Sequence, residues 1–371
     1  MFPLSVSTSS IVRHALASTV IAHASHFGAV LALYSFVEKV LPSAPTRKRQ
    51  VAFTAACLHI ISPAGIFLSS PYGESSYALF SFLGFYCYTA AIQHRYALID
   101  HPTIRGALWN AAAGLSFGLS AMMRGNGLLN GIPFAIDALI SIYTLLTIRD
   151  STELFRLSGI VLGGMLTGIG FTLPQAVAYT HFCTSGNARP WCNNTIPSIY
   201  NWVQAHYWDV GLFKYWTLSN LPLFLLATPM LLIMVSTAFS ALHHARAILL
   251  ALNGEETPPQ RNSVTHQADV AVFQHVLARL AVPQLVLAVL TLTSFHVQIV
   301  NRISSGYAVC YLVLAIAMQD QSPALGCGHE SGEHYQPFRY LGGRRREWVV
   351  RAMVMYAIVQ GGLYASFLPP A

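Results

Sequence analysis

The hydrophobic positions of this chain come in long runs, without the strict alternation of a strand or the one-sided stripe of a surface helix. A bilayer-spanning helix needs roughly 20 apolar residues, and about ten segments meet that length. They are Leu16–Val40, Val51–Ser69, Ser76–Ile92, Ala107–Met123, Leu128–Ile148, Leu157–Tyr179, Trp216–Ala238, Val276–Ser294, Ile303–Met318 and Val349–Leu368. The expected fold class is therefore all-α, a multi-pass transmembrane helical bundle. Residues 1–371 read as one polytopic membrane domain without an internal repeat. Its main polar interruptions are an aromatic loop at 180–215 and connections at 241–272 and 320–347, with Leu252–Gln267 and Asp320–Gly343 expected to be mobile and to carry no chemistry.

Composition supports the membrane class. Of the 371 residues 54% are hydrophobic and 9% charged, against about 25% charged in a soluble domain. Such a chain cannot cover its outside with polar groups, so lipid must be its main solvent. The net charge of +7 would suggest nucleic acid in a soluble protein. Here there is no zinc spacing, no phosphate-cradling glycine loop and no basic-aromatic domain, and nucleic acid is set aside. No CxxC pair occurs, and no metal site is expected.

The basic residues instead report sidedness. One set of alternate connections holds thirteen Lys and Arg: Arg47, Lys48, Arg49, Arg95, Arg105, Arg149, Arg156, Arg246, Arg261, Arg339, Arg344, Arg345 and Arg346. The other holds four: Arg124, Arg189, Lys214 and Arg302. The positive-inside rule puts the first set in the cytosol and the aromatic loop outside it or in a lumen. Cys183 and Cys192 fall in that loop close enough to pair, and Asn193 heads an Asn-x-Thr glycosylation triplet; both belong to a lumenal compartment. Cys57, Cys87 and Cys310 lie in predicted helices and Cys327 on the cytosolic side. The same parity puts residues 1–15 in the lumen. Met1–Ser10 has no basic start and makes a poor signal peptide, so an earlier helix is expected upstream.

Polar clusters sit at the predicted lumenal ends of the helices, where each costs free energy and needs a reason. Pro71-Tyr72-Gly73-Glu74-Ser75-Ser76 follows Ser62-Pro63, whose proline is placed to kink the second segment. Glu74 either caps the next helix or faces a substrate. In Met123-Arg124-Gly125-Asn126-Gly127, Arg124 either snorkels to headgroups or holds a phosphate through its planar fork. In His296 to Gly306, a helix would place His296, Gln298 and Arg302 partly on one face, as an internal network or as a cationic cluster. The stretch Arg189–Pro229 carries four of the six Trp. It reads as an aromatic belt or as a lipid- or sugar-handling loop with Gln204, His206, Tyr207 and Asp209 as contacts. Gly114/Gly118, Gly159/Gly163 and Gly164/Gly168 are expected to let helices pack closely.

Several of these segments carry a resemblance to a known family. RPWC through LPLFLLATP, SPAGIFLSSPYGESSYALFSFLG, the MMRGNG turn and HVQIVNRISS resemble segments of the GPI mannosyltransferase 2 family, and occur in its order over most of the chain. The resemblance implies a GT-C glycosyltransferase of the endoplasmic-reticulum membrane with a lumenal active site. Such an enzyme adds the second, α1,6-linked mannose to the glycosylphosphatidylinositol (GPI) precursor. The donor would be dolichyl-phosphate mannose, with no metal or other cofactor, and a small accessory membrane subunit is an expected partner. Arg124, His296 and Arg302 are then candidates for the donor phosphate, Gln298 for substrate binding, and Glu74, Trp191, Gln204 and Tyr207 for sugar or lipid. The family's catalytic acid belongs in a first lumenal loop; residues 1–15 contain no Asp or Glu, so it is expected upstream, leaving Glu74 and Asp209 as weak catalytic candidates. Competing expectations are an inactive fragment, a noncatalytic subunit of the same family, and a transporter of lipid or small solutes.

Overall fold

The computed structural model describes residues 8–96, 104–184, 189–253, 264–319 and 345–366. Each of the ten apolar segments overlaps one or more helices over its described residues, and no strand occurs among the described residues. The helices are α1 (Thr8–Val40), α2 (Pro45–Ile60), α3 (Gly65–Ser69), α4 (Glu74–Tyr96), α5 (Ile104–Met123), α6 (Ile132–Ile148), α7 (Ser151–Cys183), α8 (Ile199–His206), α9 (Leu221–His243), α10 (Ala245–Asn253), α11 (Val264–Thr293), α12 (Val300–Ile303), α13 (Ala308–Gln319) and α14 (Arg345–Ser366). Local chemistry sets several starts. Proline occupies the first turns of α2, α6 and α9, where its missing N–H costs nothing. Asp150 accepts from the Thr152 N–H at 2.9 Å and so caps α7.

Five helical stretches are long and apolar enough to cross a membrane, and a sixth if Val297–Gly306 and Ala308–Gln319, bent by 77°, count as one. That is fewer than the ten expected. Part of the reason is length, since α2 has 16 residues and α3 has 5, and part lies in the neighbours, since α4 buries Glu74, Ser75, Ser81 and Thr89 against other helices. A helix shielded by protein need not be apolar throughout. By contrast α13, buried on every side from Ala308 to Ala317, is apolar all round and forms the centre of the bundle. Gln284 of α11 ties it in, accepting from the Cys310 N–H at 3.1 Å and donating to the Met234 carbonyl of α9 at 2.8 Å.

Other expectations are corrected. Val51–Ser69 is not one helix: α2 stops at Ile60, Ser62 and Pro63 fill the break, and α3 restarts at Gly65. The aromatic loop is shorter than 180–215, since α7 runs to Cys183 and α8 forms inside it. The connection 241–272 contains α10 and the start of α11, and Ile248 and Leu249 of α10 are buried. Residues 254–263 and 320–344, with Cys327, lie outside the described residues, as do 1–7. Of the glycine pairs, the α5 and α7 set packs as expected: a Cβ on Gly114 would lie 2.3 Å from the Gly163 carbonyl oxygen. The Gly164/Gly168 pair does not, for nothing lies within 4 Å of a Cβ on Gly168.

Candidate functional site

Three chain turns meet at one end of the bundle. The first is the sharp turn between α3 and α4, which ends at Glu74, the first residue of α4. A carboxylate there is favoured by the positive end of the helix. The second is the Arg124–Gly127 turn after α5. The third is the chain from Val297 to Gly306, which runs as a 3-10 turn, the short α12 and another 3-10 turn. It is not the single helix expected, so His296 and Arg302 do not share a helical face. Glycine lets these turns meet. A Cβ on Gly306 would lie 2.2 Å from the Tyr77 ring.

Glu74 is the hub. Its side chain is fully buried. Its Oε1 accepts from Arg302 through Nε at 2.8 Å and Nη2 at 2.5 Å, and from Arg124 Nη1. Its Oε2 is buried and has no hydrogen-bond partner. Arg302 is only 4% exposed. Its guanidinium stacks 4.3 Å above the Phe67 ring and 5.1 Å from that of Tyr72. Arg124 is less enclosed, with a side chain 18% exposed. Beside them Asn126 Nδ2 donates to the Tyr77 hydroxyl at 2.8 Å. Among the described residues, two guanidiniums face one carboxylate, which keeps one acceptor unused.

The aromatic loop closes over this end. Ser198 caps α8 and also donates to Gln175 Oε1 at 3.1 Å, which in turn accepts from the Tyr200 N–H at 3.1 Å. The Tyr200 ring then packs against Gly125, where a Cβ would stand 2.9 Å away. Burial pushes the Tyr200 hydroxyl pKa up, opposed by the nearby Arg124. Further along, the Trp208 carbonyl pairs with His296 Nε2 at 2.6 Å, and the Tyr215 hydroxyl donates to Gln298 Oε1 at 2.9 Å. Burial raises the Tyr215 hydroxyl as well, against the lowering effect of the Gln298 contact. His296 and Gln298 thus anchor the loop to the end of α11, and the structure gives them protein partners.

The remaining candidates are placed apart from Glu74. Trp191 is 2% exposed and packs edge-on against Tyr179. Next to it Cys183 and Cys192 form a disulfide. Asn193 is exposed, as is Tyr207. Gln204 is half-buried, and its carbonyl accepts from the Val210 N–H at 3.0 Å. Asp209 is exposed and paired with Lys214 at 2.8 Å. No hydrogen bond, ion pair or ring contact joins these residues to Glu74 or Arg124 among the described residues. No group of three or more His, Cys, Asp or Glu among the described residues is placed to hold a metal ion.

Sequence reasoning missed one network. Asp137 of α6, 1% exposed, accepts from Tyr88 at 2.5 Å and Arg279 at 2.7 Å, with His275 at 3.3 Å. The available signal was an aspartate inside an apolar run together with an arginine in another. It welds α4, α6 and α11 at membrane depth.

Comparison with known proteins adds the following. Residues 2–371 match the family described as Mannosyltransferase (PIG-V). GPI mannosyltransferase 2 of Aspergillus oryzae is 39% identical over 361 residues, covering 96% of this chain and 74% of the relative. That of Gibberella zeae is 36% identical over 363 residues, covering 96% and 75%. GPI alpha-1,6-mannosyltransferase 2 of Mus musculus is 31% identical over 304 residues, covering 74% and 57%. No solved structure matches.

Proposed function

We infer from its sequence and site that this chain, which belongs to the PIG-V mannosyltransferase family, is a membrane glycosyltransferase of GPI-anchor assembly. It adds the second mannose, in α1,6 linkage, to a GPI precursor. The donor is dolichyl-phosphate mannose, the membrane is that of the endoplasmic reticulum, and the site faces the lumen. A small accessory membrane subunit is a further partner in this reading, and the bundle has about ten spans.

One observation carries the chemistry: the buried Glu74 held between Arg124 and Arg302, with its Oε2 unused. In the transfer, an acceptor hydroxyl attacks the mannose C1, the bond from C1 to the phosphate oxygen breaks, dolichyl phosphate leaves with the electron pair, and the hydroxyl proton ends on the departing phosphate. Negative charge grows on that phosphate. A preorganised pair of guanidiniums stabilises it without reorganisation, and the planar fork suits phosphate better than an ammonium would. Glu74 fixes the direction of both forks. The aromatic loop covers the sugar and lipid, with Tyr200 against Gly125.

Sidedness has its own support. The Cys183–Cys192 disulfide and the exposed Asn193 lie at the same end as Glu74, and basic residues are depleted there, with four against thirteen in the opposite connections. The test is complementation. In cells lacking the second GPI mannosyltransferase, the expressed gene should convert the accumulated one-mannose GPI lipid to the two-mannose form. Normal protein level with an unchanged one-mannose pool would refute the reading.

A further inference from the structure

A cleft of mixed polar and apolar lining opens at the far end of α4. Arg95 stands in the last turn of that helix, about 32 Å beyond Glu74 at 1.5 Å per residue. Since a bilayer core is about 30 Å thick, the cleft belongs to the membrane face opposite the Glu74 site. It lies between the end of α4, the first turns of α5 and α7, and α6, with His94, Arg95, Asn110, Asp137, Arg156 and Ile160 in its lining.

Its charges do not cancel. Arg156 is held by Glu153 at 2.5 Å and Asp137 by Arg279 at 2.7 Å, which makes two neutral pairs. The Arg95 guanidinium, the His94 ring and the Asn110 carboxamide make no hydrogen bond or ion pair with any described residue. Asn110 is the telling position. It is half-buried in the apolar helix α5, where a carboxamide costs desolvation unless something receives it. Three unused donors and one uncompensated positive charge therefore converge on one concavity.

We propose that this cleft binds a phosphate ester, with the Arg95 fork as its main ligand and Asn110 and His94 as supporting donors. Phosphate is the anion that fits a planar fork plus two side donors. A cation would need free carboxylate oxygens in the lining, and those of Asp137, the one carboxylate there, are taken by Tyr88, His275 and Arg279, while Glu153, with its unpartnered Oε2, is not part of the lining. An apolar ligand would leave the three donors unmatched. The phosphate is carried by a membrane phospholipid headgroup or is free in the adjoining water. The site is separate from mannose transfer.

The test uses the purified chain in detergent, titrated with dioctanoyl phosphatidic acid and separately with inorganic phosphate, read as thermal stabilisation. Arg95→Gln should bind the lipid about tenfold more weakly than wild type. Lys214→Gln, remote from the cleft, should bind as wild type, and mannose transfer by Arg95→Gln should be unchanged. Stabilisation by the lipid alone identifies a headgroup site; equal stabilisation by inorganic phosphate identifies a soluble ligand. If Arg95→Gln fails to fold, Arg95→Lys and Asn110→Ala give the reading, each expected to weaken binding. Absence of binding in wild type, or equal affinity in wild type and the cleft variants, overturns the proposal.

Discussion

Replacing Glu74 by glutamine isolates the hub of the candidate site. The substitution keeps shape and removes one charge. Three charge-assisted hydrogen bonds converge on Glu74 Oε1, two from Arg302 and one from Arg124. Without the carboxylate, two guanidiniums are left close together, one of them 4% exposed. Removing one partner of a buried ion pair costs about 3–5 kcal/mol, because the remaining charge is uncompensated. Glu74→Gln should therefore lower the unfolding free energy by about that amount. Arg124→Met should cost less, about 1–3 kcal/mol, since Glu74 keeps the Arg302 fork. The double variant removes one of the two guanidiniums that Glu74→Gln leaves facing each other, so it should be more stable than Glu74→Gln alone. The coupling energy should reach about 2 kcal/mol. The assay is reversible unfolding in mixed micelles, run beside mannose transfer per folded molecule. Transfer should stay low in the double variant although stability partly returns. Strict additivity of the two substitutions would refute the ion-pair reasoning.

Gly306→Ala places a methyl 2.2 Å from the Tyr77 ring; overpacking of this kind costs about 1–3 kcal/mol, and a melting curve like wild type would show that the turn is free to move. Opening the Cys183–Cys192 bridge by a double Ser substitution should destabilise the protein by about 2–3 kcal/mol and raise proteolysis within residues 184–198 under non-reducing conditions, while an unchanged cleavage pattern would argue against the bridge. Asp137→Asn leaves Arg279 and His275 without their buried carboxylate and should cost about 3 kcal/mol. Transfer per folded molecule should persist in that variant, and its loss at full stability would give the network a catalytic role.

The apolar runs made the helices legible, because a bilayer admits little other than helices. The Pro71–Ser76, Arg124–Gly127 and His296–Gly306 clusters stood out for the same reason, as polar groups that lipid would not tolerate. What they do to one another was not legible. Glu74 and Arg302 are 228 residues apart, and no local rule pairs them. Spacing alone left Arg302 open between an internal network and a ligand-facing cluster, and the structure makes it a partner of Glu74. The same gap hid Asp137, whose partners Tyr88, His275 and Arg279 come from two other helices. The break at Ser62–Pro63 was visible as a proline, but not as a complete stop, since a proline in a membrane helix is often only a kink. His296 and Gln298 illustrate the converse: the residues were correctly singled out as polar groups at a helix end, and their contacts are with Trp208 and Tyr215 of the loop.

The most direct measurement is the affinity of the leaving group itself. Dolichyl phosphate should compete with the mannose donor in the wild-type enzyme. Arg302→Lys retains charge but loses the fork, and should weaken that competition about tenfold with the protein still folded. Equal inhibition by dolichyl phosphate in wild type, Arg302→Lys and Arg124→Lys would contradict a phosphate site at the Glu74 hub.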